Sequence, residues 1–300
     1  MDLSIVIPTY NRAELLARCL AGLARQEPAP ARVEVVVVDD GSTDDTAARV
    51  EALARGFPFA LRCVRKPNGG AASARNRGIR EARGELVAFL DDDCVPRPDW
   101  VRRAVEAARG HPDVSGFGGL VEPAGTTSRI ARYIADRRLL AGPALDGGRV
   151  VAVVTANALF RKRDLEAIGG FDERFRQPGG EDVDLSRRLL ESGRRLARAE
   201  GLVVEHHHRE GVRPFLKTYY WYGYGSGLIR AKTRPLGSVR ARLKGALAVL
   251  YLAAVPLYVA RHLLSGVGFP DSALYGMLDG LRKAAYALGK ARGRAAAPAR

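Results

Sequence analysis

Leu86-Val87-Ala88-Phe89-Leu90-Asp91-Asp92-Asp93 decides how this chain is read: an apolar run of strand length ends in three consecutive carboxylates. Like charges held this close together cost free energy unless a cation offsets them. Asp is a hard oxygen ligand suited to Mg2+ or Mn2+, and open α/β sheets place ligands beyond the carboxyl ends of their strands. One reading is therefore a metal-assisted phosphate site. The other is an acidic turn capping the next helix, with Pro96 and Pro98 as N-terminal helix signals.

The pattern on either side bears on that choice. Ser4-Ile5-Val6-Ile7 reads as a buried strand followed by the loop Pro8-Thr9-Tyr10-Asn11, and a helix is expected over Ala13 to Arg25, with Leu15, Leu16, Cys19, Leu20 and Leu23 on one face. Val33 to Val38 is a second strand that stops at Asp39-Asp40-Gly41-Ser42. Thr43 reads as the next helix's N-cap, with Asp44 and Asp45 in its first turn. Phe59 to Val64 is a third strand, Asn68-Gly69-Gly70 a turn into a helix over Ala71 to Ala82, and Leu86 to Leu90 a fourth strand. This alternation predicts an α/β fold with a mostly parallel sheet covered by helices. Three polar loops then converge on one sheet edge, which favours the ligand site over unrelated acidic turns. No GxGxxG follows the first strand and no GxxxxGK[ST] is present, so neither the dinucleotide fingerprint nor the P-loop applies.

With 300 residues, 47% of them hydrophobic, the chain suits one large α/β domain with or without an appendage. Cys19, Cys63 and Cys94 lie far apart without CxxC spacing, which argues against a zinc knuckle or a disulfide framework and for a reducing cytosolic setting. The amino terminus enters directly into a strand pattern, so no signal peptide is expected. The net charge of +15 is uneven: residues 201–300 hold 16 Lys or Arg against 4 Asp or Glu. A basic last third implies an anionic partner, either nucleic acid or a membrane face.

The ordered set Ile5-Val6-Ile7-Pro8-Thr9-Tyr10-Asn11, Val37-Val38-Asp39-Asp40-Gly41-Ser42-Thr43-Asp44, Asn68-Gly69-Gly70 with Ala74-Arg75-Asn76, and Phe89-Leu90-Asp91-Asp92-Asp93 resembles the signature of family-2 glycosyltransferases with the GT-A (nucleotide-diphospho-sugar transferase) fold. Gly169-Gly170-Phe171-Asp172-Glu173 and Gly180-Glu181-Asp182-Val183-Asp184-Leu185 resemble its acceptor-side part. The resemblance covers residues 3 to 210. It implies a metal-dependent, inverting transfer of a sugar, hexosyl or deoxyhexosyl, from a nucleoside diphosphate to an acceptor hydroxyl.

Carried over by position, the resemblance assigns Pro8, Thr9, Tyr10, Asn11, Arg12 and Asp39 to the nucleotide base and ribose. Asp91 would face the ribose, Asp92 would bind sugar hydroxyls or orient its neighbours, and Asp93 would bind a divalent cation, Mn2+ or Mg2+. Arg75 would support the diphosphate or the acidic loop, or make a structural salt bridge. Asp182 is the expected general base, because an acceptor hydroxyl needs a carboxylate to take its proton, with Glu181 contacting acceptor or donor sugar. Within His206-His207-His208, His206 is the expected further metal or diphosphate contact and His208 its substitute. Asp39 suits a pyrimidine imide, which favours UDP or dTDP donors.

Between Ala124 and Arg149 a helix-like stretch is expected near Ile130 to Leu140, and Val150 to Phe160 reads as a strand pair. The last third is expected to be a helical, basic extension over 211–289 followed by a disordered tail over 290–300, behind a catalytic domain of 1–210 whose donor half ends near 110 and whose acceptor half covers 111–210. Its dense aromatic set, Tyr219, Tyr220, Trp221, Tyr222 and Tyr224, is open to stacking on bases, lying at lipid headgroups or simple helix packing. Gly245 to Ala260 is uncharged and slightly short of a membrane span; it suits a re-entrant or interfacial helix better than a full span, and a tilted span and a buried core helix are the other readings. In Phe269 to Leu288, Leu274, Met277, Leu278 and Leu281 are expected on one face. The resulting expectation is a cytoplasmic enzyme peripheral to the inner face of the cell membrane. Its partners would be a glycan or lipid-linked acceptor of the cell envelope and an anionic membrane surface rather than nucleic acid. A sugar nucleotidyltransferase of similar fold and a non-catalytic nucleic-acid-binding protein are the competing readings.

Overall fold

The structure, a computed structural model, describes residues 1–125, 128–139, 142–207, 211–233 and 248–296. It divides into two compact units. The first comprises Met1–Thr127, Ile134–Arg176 and Glu181–His208.

The first unit is built on an eight-stranded sheet in the order β3-β2-β1-β4-β9-β6-β10-β5. Its strands are β1 (Leu3–Thr9), β2 (Val33–Asp39), β3 (Ala60–Arg65), β4 (Leu86–Leu90), β5 (Cys94–Pro96), β6 (Val114–Pro123), β9 (Asn157–Arg161) and β10 (Arg195–His206). β1 runs parallel to β2 and β4, and β2 parallel to β3, so the four expected strands end on one edge. Because side chains alternate across a strand, β1 sends Leu3, Ile5 and Ile7 into one core and Val6 into another. Leu16, Leu20 and Leu23 of α1 (Ala13–Ala24) and Trp100 of α4 (Trp100–Gly110) share the first core. Ala72, Ala74 and Ile79 of α3 (Ala71–Glu81) and Leu185 and Leu189 of α7 (Glu181–Glu191) share the second. Burial on both faces explains why β1, β2 and β4 read as continuous apolar runs.

Several local expectations change. Thr43 caps no helix: α2 (Thr46–Ala54) begins later, and the Asp44 carboxylate accepts both the amide N–H and the hydroxyl of Thr46. Pro96 ends strand β5 rather than starting a helix. Val150 to Phe160 is not a strand pair. β8 (Arg149–Ala152) pairs with β7 (Ala144–Asp146) in a separate two-stranded sheet, while β9 runs antiparallel between β4 and β6. The break between them is functional for packing: Asn157 turns its amide onto the Leu120 and Leu202 carbonyls and accepts the Trp100 indole N–H. Lys162–Ala167 forms the short helix α6.

The second unit comprises Ser128–Tyr133, Gln177–Gly180 and Arg209–Arg300. It contains the start of α5 (Arg129–Asp136), then α8 (Val212–Thr233), a helical segment over 248–253, α9 (Val255–Leu264) and α10 (Phe269–Ala295). Leu140 and residues 245–247 of the sequence readings lie outside the described residues. The aromatic set of α8 packs largely on itself, Tyr219 edge-on to Tyr222 and Trp221 edge-on to Tyr220 and Tyr224. The tail expected to be disordered from Lys290 is helical to Ala295, because Gly289 and Gly293 let α10 approach the Tyr220 and Tyr224 carbonyls of α8 more closely than any side chain permits. On α10 the buried face carries Tyr275 and Leu278, whereas Met277 is exposed.

Candidate active site

The acidic triplet sits where β4 ends, and a very short strand determines what surrounds it. β5 follows directly and pairs antiparallel with the end of β10, placing His206 opposite Cys94. The His207 amide N–H donates to the Asp93 carbonyl at 2.9 Å. His206 Nε2 thereby lies 3.3 Å from Asp93 Oδ1. His206 is the last residue of β10 rather than the first after it, and His208 lies outside the described residues.

The three carboxylates have different surroundings. Asp92 is buried, accepts the Thr9 hydroxyl at 2.8 Å and pairs with Arg12 at 2.5 Å. Burial pushes it up to about 7, and the Asp93 charge adds to that, although Arg12 opposes both. Asp93 also loses hydration, but His206 and Arg12, whose Nη2 is 3.0 Å away, hold it well below the ordinary carboxylate range. Asp93 in turn raises the His206 imidazole against the downward pull of burial. Asp91 is the most exposed of the three and accepts from Arg75 Nη2 at 2.7 Å.

Arg75 connects this edge to the start of α7, with Nη1 3.0 Å from Glu181 Oε1. Beside Glu181, Asp182 is pushed up to about 7, first by burial and then by the neighbouring Glu181 charge. The Gly169-to-Glu173 loop is drawn to α3, the helix that carries Arg75, by Asn76. Its Oδ1 accepts the Phe171 amide N–H, and its Nδ2 donates to the Phe171 carbonyl and to Glu173.

The loop after β1 is held partly by its own side chains. Asn11 has φ 51° and accepts the Thr43 amide N–H, while its own N–H donates to the Ser42 hydroxyl. Tyr10 keeps its ring exposed. Pro8 is in β1, beside Val38 of β2. Asp39 is buried at the end of β2 and accepts the Ser42 amide N–H at 2.7 Å.

Asp40 was not among the expected site residues. It accepts the amide N–H groups of Gly69 and Gly70 and pairs with Lys66 at 2.6 Å, joining the loops after β2 and β3. Its signal was the Asn68-Gly69-Gly70 turn, whose N–H groups need an acceptor. Cys94 was also missed as a neighbour of the site. With Asp93 and His206 it forms a group whose possible ligand atoms lie within 4.8 Å of one another. Burial raises the Cys94 thiol well above its ordinary value, so it remains protonated and unsuited to a hard cation. The carboxylate and imidazole of the same group are a donor set that fits Mn2+ or Mg2+ completed by substrate oxygens.

Known proteins resemble this chain throughout. Residues 4–169 match the family described as glycosyl transferase family 2, and residues 149–210 match the N-terminal domain of galactosyltransferase. Validoxylamine A glucosyltransferase of Streptomyces hygroscopicus subsp. limoneus is 36% identical over 222 residues, covering 64% of this chain and 48% of that protein. The chain thus spans about half the length of that relative. Glycosyltransferase AglE of Haloferax volcanii is 30% identical over 228 residues, covering 74% of this chain and 72% of that protein. Among solved structures, the mannosyltransferase PcManGT from Pyrobaculum calidifontis, in complex with GDP-Man and Mn2+, superposes with a TM-score of 0.63 at 21% identity, covering 98% of this chain and 87% of that one. The family match covers more than half of the sequence and the sheet is that of the fold neighbours: the chain belongs to glycosyl transferase family 2, with a GT-A fold.

Proposed function

We propose that this chain is a metal-dependent, inverting glycosyltransferase that moves a sugar from a nucleoside diphosphate sugar to an acceptor hydroxyl, with residues 1–210 as its catalytic part. One observation carries the reading: Arg75 bridges Asp91 of the acidic triplet to Glu181, which brings the candidate base Asp182 to the triplet's side of the sheet.

The exposed Tyr10 ring covers the base and Asp39 accepts an imide N–H, which favours UDP or dTDP. Thr9 and Arg12 hold Asp92, which orients the triplet rather than reaching the sugar. Asn11 shapes the loop through Ser42 and Thr43. Asp93 and His206 are the residues that would hold Mn2+ or Mg2+; the bound cation would neutralise charge on the departing diphosphate. Asp182 takes the acceptor hydroxyl proton, and a carboxylate near 7 is well matched to that task at neutral pH. The acceptor oxygen attacks the anomeric carbon opposite the leaving diphosphate oxygen, so one C–O bond forms as the other breaks and the configuration inverts. Glu181, fixed by Arg75, contacts the acceptor or donor sugar.

The acceptor is a glycan or lipid-linked saccharide of the cell envelope, met at the inner membrane face; the basic last third supports this placement. Incubation with a panel of nucleotide sugars tests the reading. Release or transfer of sugar should require Mn2+ or Mg2+ and be lost in Asp182→Ala. No turnover of any nucleotide sugar, or turnover indifferent to Asp182→Ala, would contradict it.

A further inference from the structure

The second unit buries Tyr275, Leu278 and Ala284 of α10 as a water-facing bundle would, but it departs from that pattern at two places. Its interior holds a polar knot. Asp279 of α10 is buried and accepts the Tyr133 hydroxyl at 2.8 Å and Arg282 Nη2 at 2.8 Å, while His262 Nε2 of α9 is 3.0 Å away. His262 itself is buried, and its ring stands edge-on to Tyr275. The exposed face of 248–264 is apolar. Leu264 is 89% exposed, Leu257 72% and Leu250 62%. These three recur every seven residues, which places them on one helical stripe. Hydrogen bonds from the Ala254 N–H to the Leu250 carbonyl and from the Tyr258 N–H to the Ala254 carbonyl keep the helical path through the junction between 248–253 and α9. Over 248–264 the exposed positions carry a single charge, Arg261, and Phe269 at the head of α10 is also exposed.

Soluble helices put polar side chains outside and apolar ones inside. Helices in contact with lipid reverse this, keeping ionisable groups toward the protein interior. An exposed apolar face this continuous marks a surface with a partner. We infer that the face carrying Leu250, Leu257, Leu264 and Phe269 beds into the headgroup region of an anionic bilayer, which deepens the membrane-side placement proposed above.

Charge selects lipid over a protein groove. Arg261 lies on the apolar face, Arg240, Arg242 and Lys244 precede it in the sequence, and residues 201–300 carry 16 basic against 4 acidic side chains. An apolar face that carries Arg261, within so basic a part of the sequence, matches the boundary between acyl chains and anionic headgroups. The contact is in-plane: 248–264 spans about 25 Å of helix against a hydrocarbon core of about 30 Å. No helix among the described residues is long and apolar enough to cross a membrane.

Flotation of the full chain with vesicles of equal parts phosphatidylcholine and phosphatidylglycerol tests this, with pure phosphatidylcholine vesicles as the comparison. The wild type should float with the anionic vesicles and less with the neutral ones. Leu257→Glu and Leu264→Glu should each weaken flotation about tenfold or more, the equivalent of one withdrawn Leu side chain. Both positions are exposed, so the thermal midpoint in the absence of vesicles should not move. As a gain of signal, Leu264→Trp should show a blue-shifted emission on adding anionic vesicles, beyond that of the parent. A wild type that stays with the soluble fraction, glutamate variants that float as well as the parent, or no blue shift would each overturn the inference. Flotation needs no donor or turnover. A protein that floats without transferring sugar defeats the functional reading alone, and one that transfers sugar but does not float defeats only this inference.

Discussion

Arg75 and Glu181 lie 106 positions apart in the chain, yet Nη1 of one is 3.0 Å from Oε1 of the other. The second arm of the same guanidinium holds Asp91, and Arg75 is only 4% exposed. Removing one member of a buried ion pair takes away charge compensation its partners relied on, at a cost of about 3 kcal/mol or more. Arg75→Ala is expected to lose about that much stability along with sugar transfer. Arg75→Lys keeps the charge but not the two-armed geometry, and should recover only part. Denaturant unfolding of both variants beside a turnover assay checks this; a fully stable Arg75→Ala would contradict the role given to the bridge.

Gly70 should tolerate no side chain. Its φ is +89°, and a Cβ there would meet the backbone carbonyl of Arg176. Gly70→Ala combines a left-handed strain with a backbone clash, and a loss of about 1 to 3 kcal/mol is expected. It would also disturb the amide that Asp40 accepts. A chemical denaturation midpoint unchanged from wild type would rule out this account of the turn.

Turnover should follow the ionisation of Asp182. The carboxylate is the active form and its value stands near 7, so the rate should rise with pH through a midpoint near 7 and level off above it. Asp182→Asn should remove that limb together with most of the rate. A wild-type rate that stays flat from about pH 5 to 8 would assign the proton to another group.

Asp279 predicts a different pH dependence, one of stability. Although burial opposes its charge, Arg282, Tyr133 and His262 hold it at about 2. Its folded value lies below its unfolded one, so its stabilisation is complete above about pH 4 and disappears as pH falls through about 2. The contribution is on the order of 2 kcal/mol. Asp279→Asn should therefore unfold earlier than wild type near neutrality, with the difference closing in strong acid. Thermal melts at the two extremes measure it, and a difference that persists unchanged in acid would contradict the assignment.

The parallel half of the sheet was legible because Ile5 to Ile7, Val35 to Val38 and Val87 to Leu90 are buried on both faces and stop at turn residues. Strand order beyond β4 was not. The insertion of β9 between β4 and β6 depends on Asn157 meeting carbonyls 37 and 45 positions away, which no local pattern records. At the site, the acidic triplet, Glu181, Asp182 and His206 were visible as residue types at strand and helix ends. Their connections were not: Arg12 on Asp92 and Arg75 on Glu181 are long-range pairings, and the three residues of β5 are too few to show a period. The helical end of α10 was hidden for a related reason. An Ala, Gly and Arg-rich stretch looks disordered until its glycines find the Tyr220 and Tyr224 carbonyls of a partner helix.

The central claim is that the Asp91-to-Asp93 edge is a cation-assisted nucleoside diphosphate site. A thermal-shift panel of UDP, dTDP and GDP, each with and without Mn2+, tests it most directly, because a ligand that binds only the folded state raises its melting temperature. The account predicts a rise with UDP or dTDP that needs the cation and is lost in Asp93→Ala. No shift with any nucleotide, or a shift of the same size in Asp93→Ala, would contradict it.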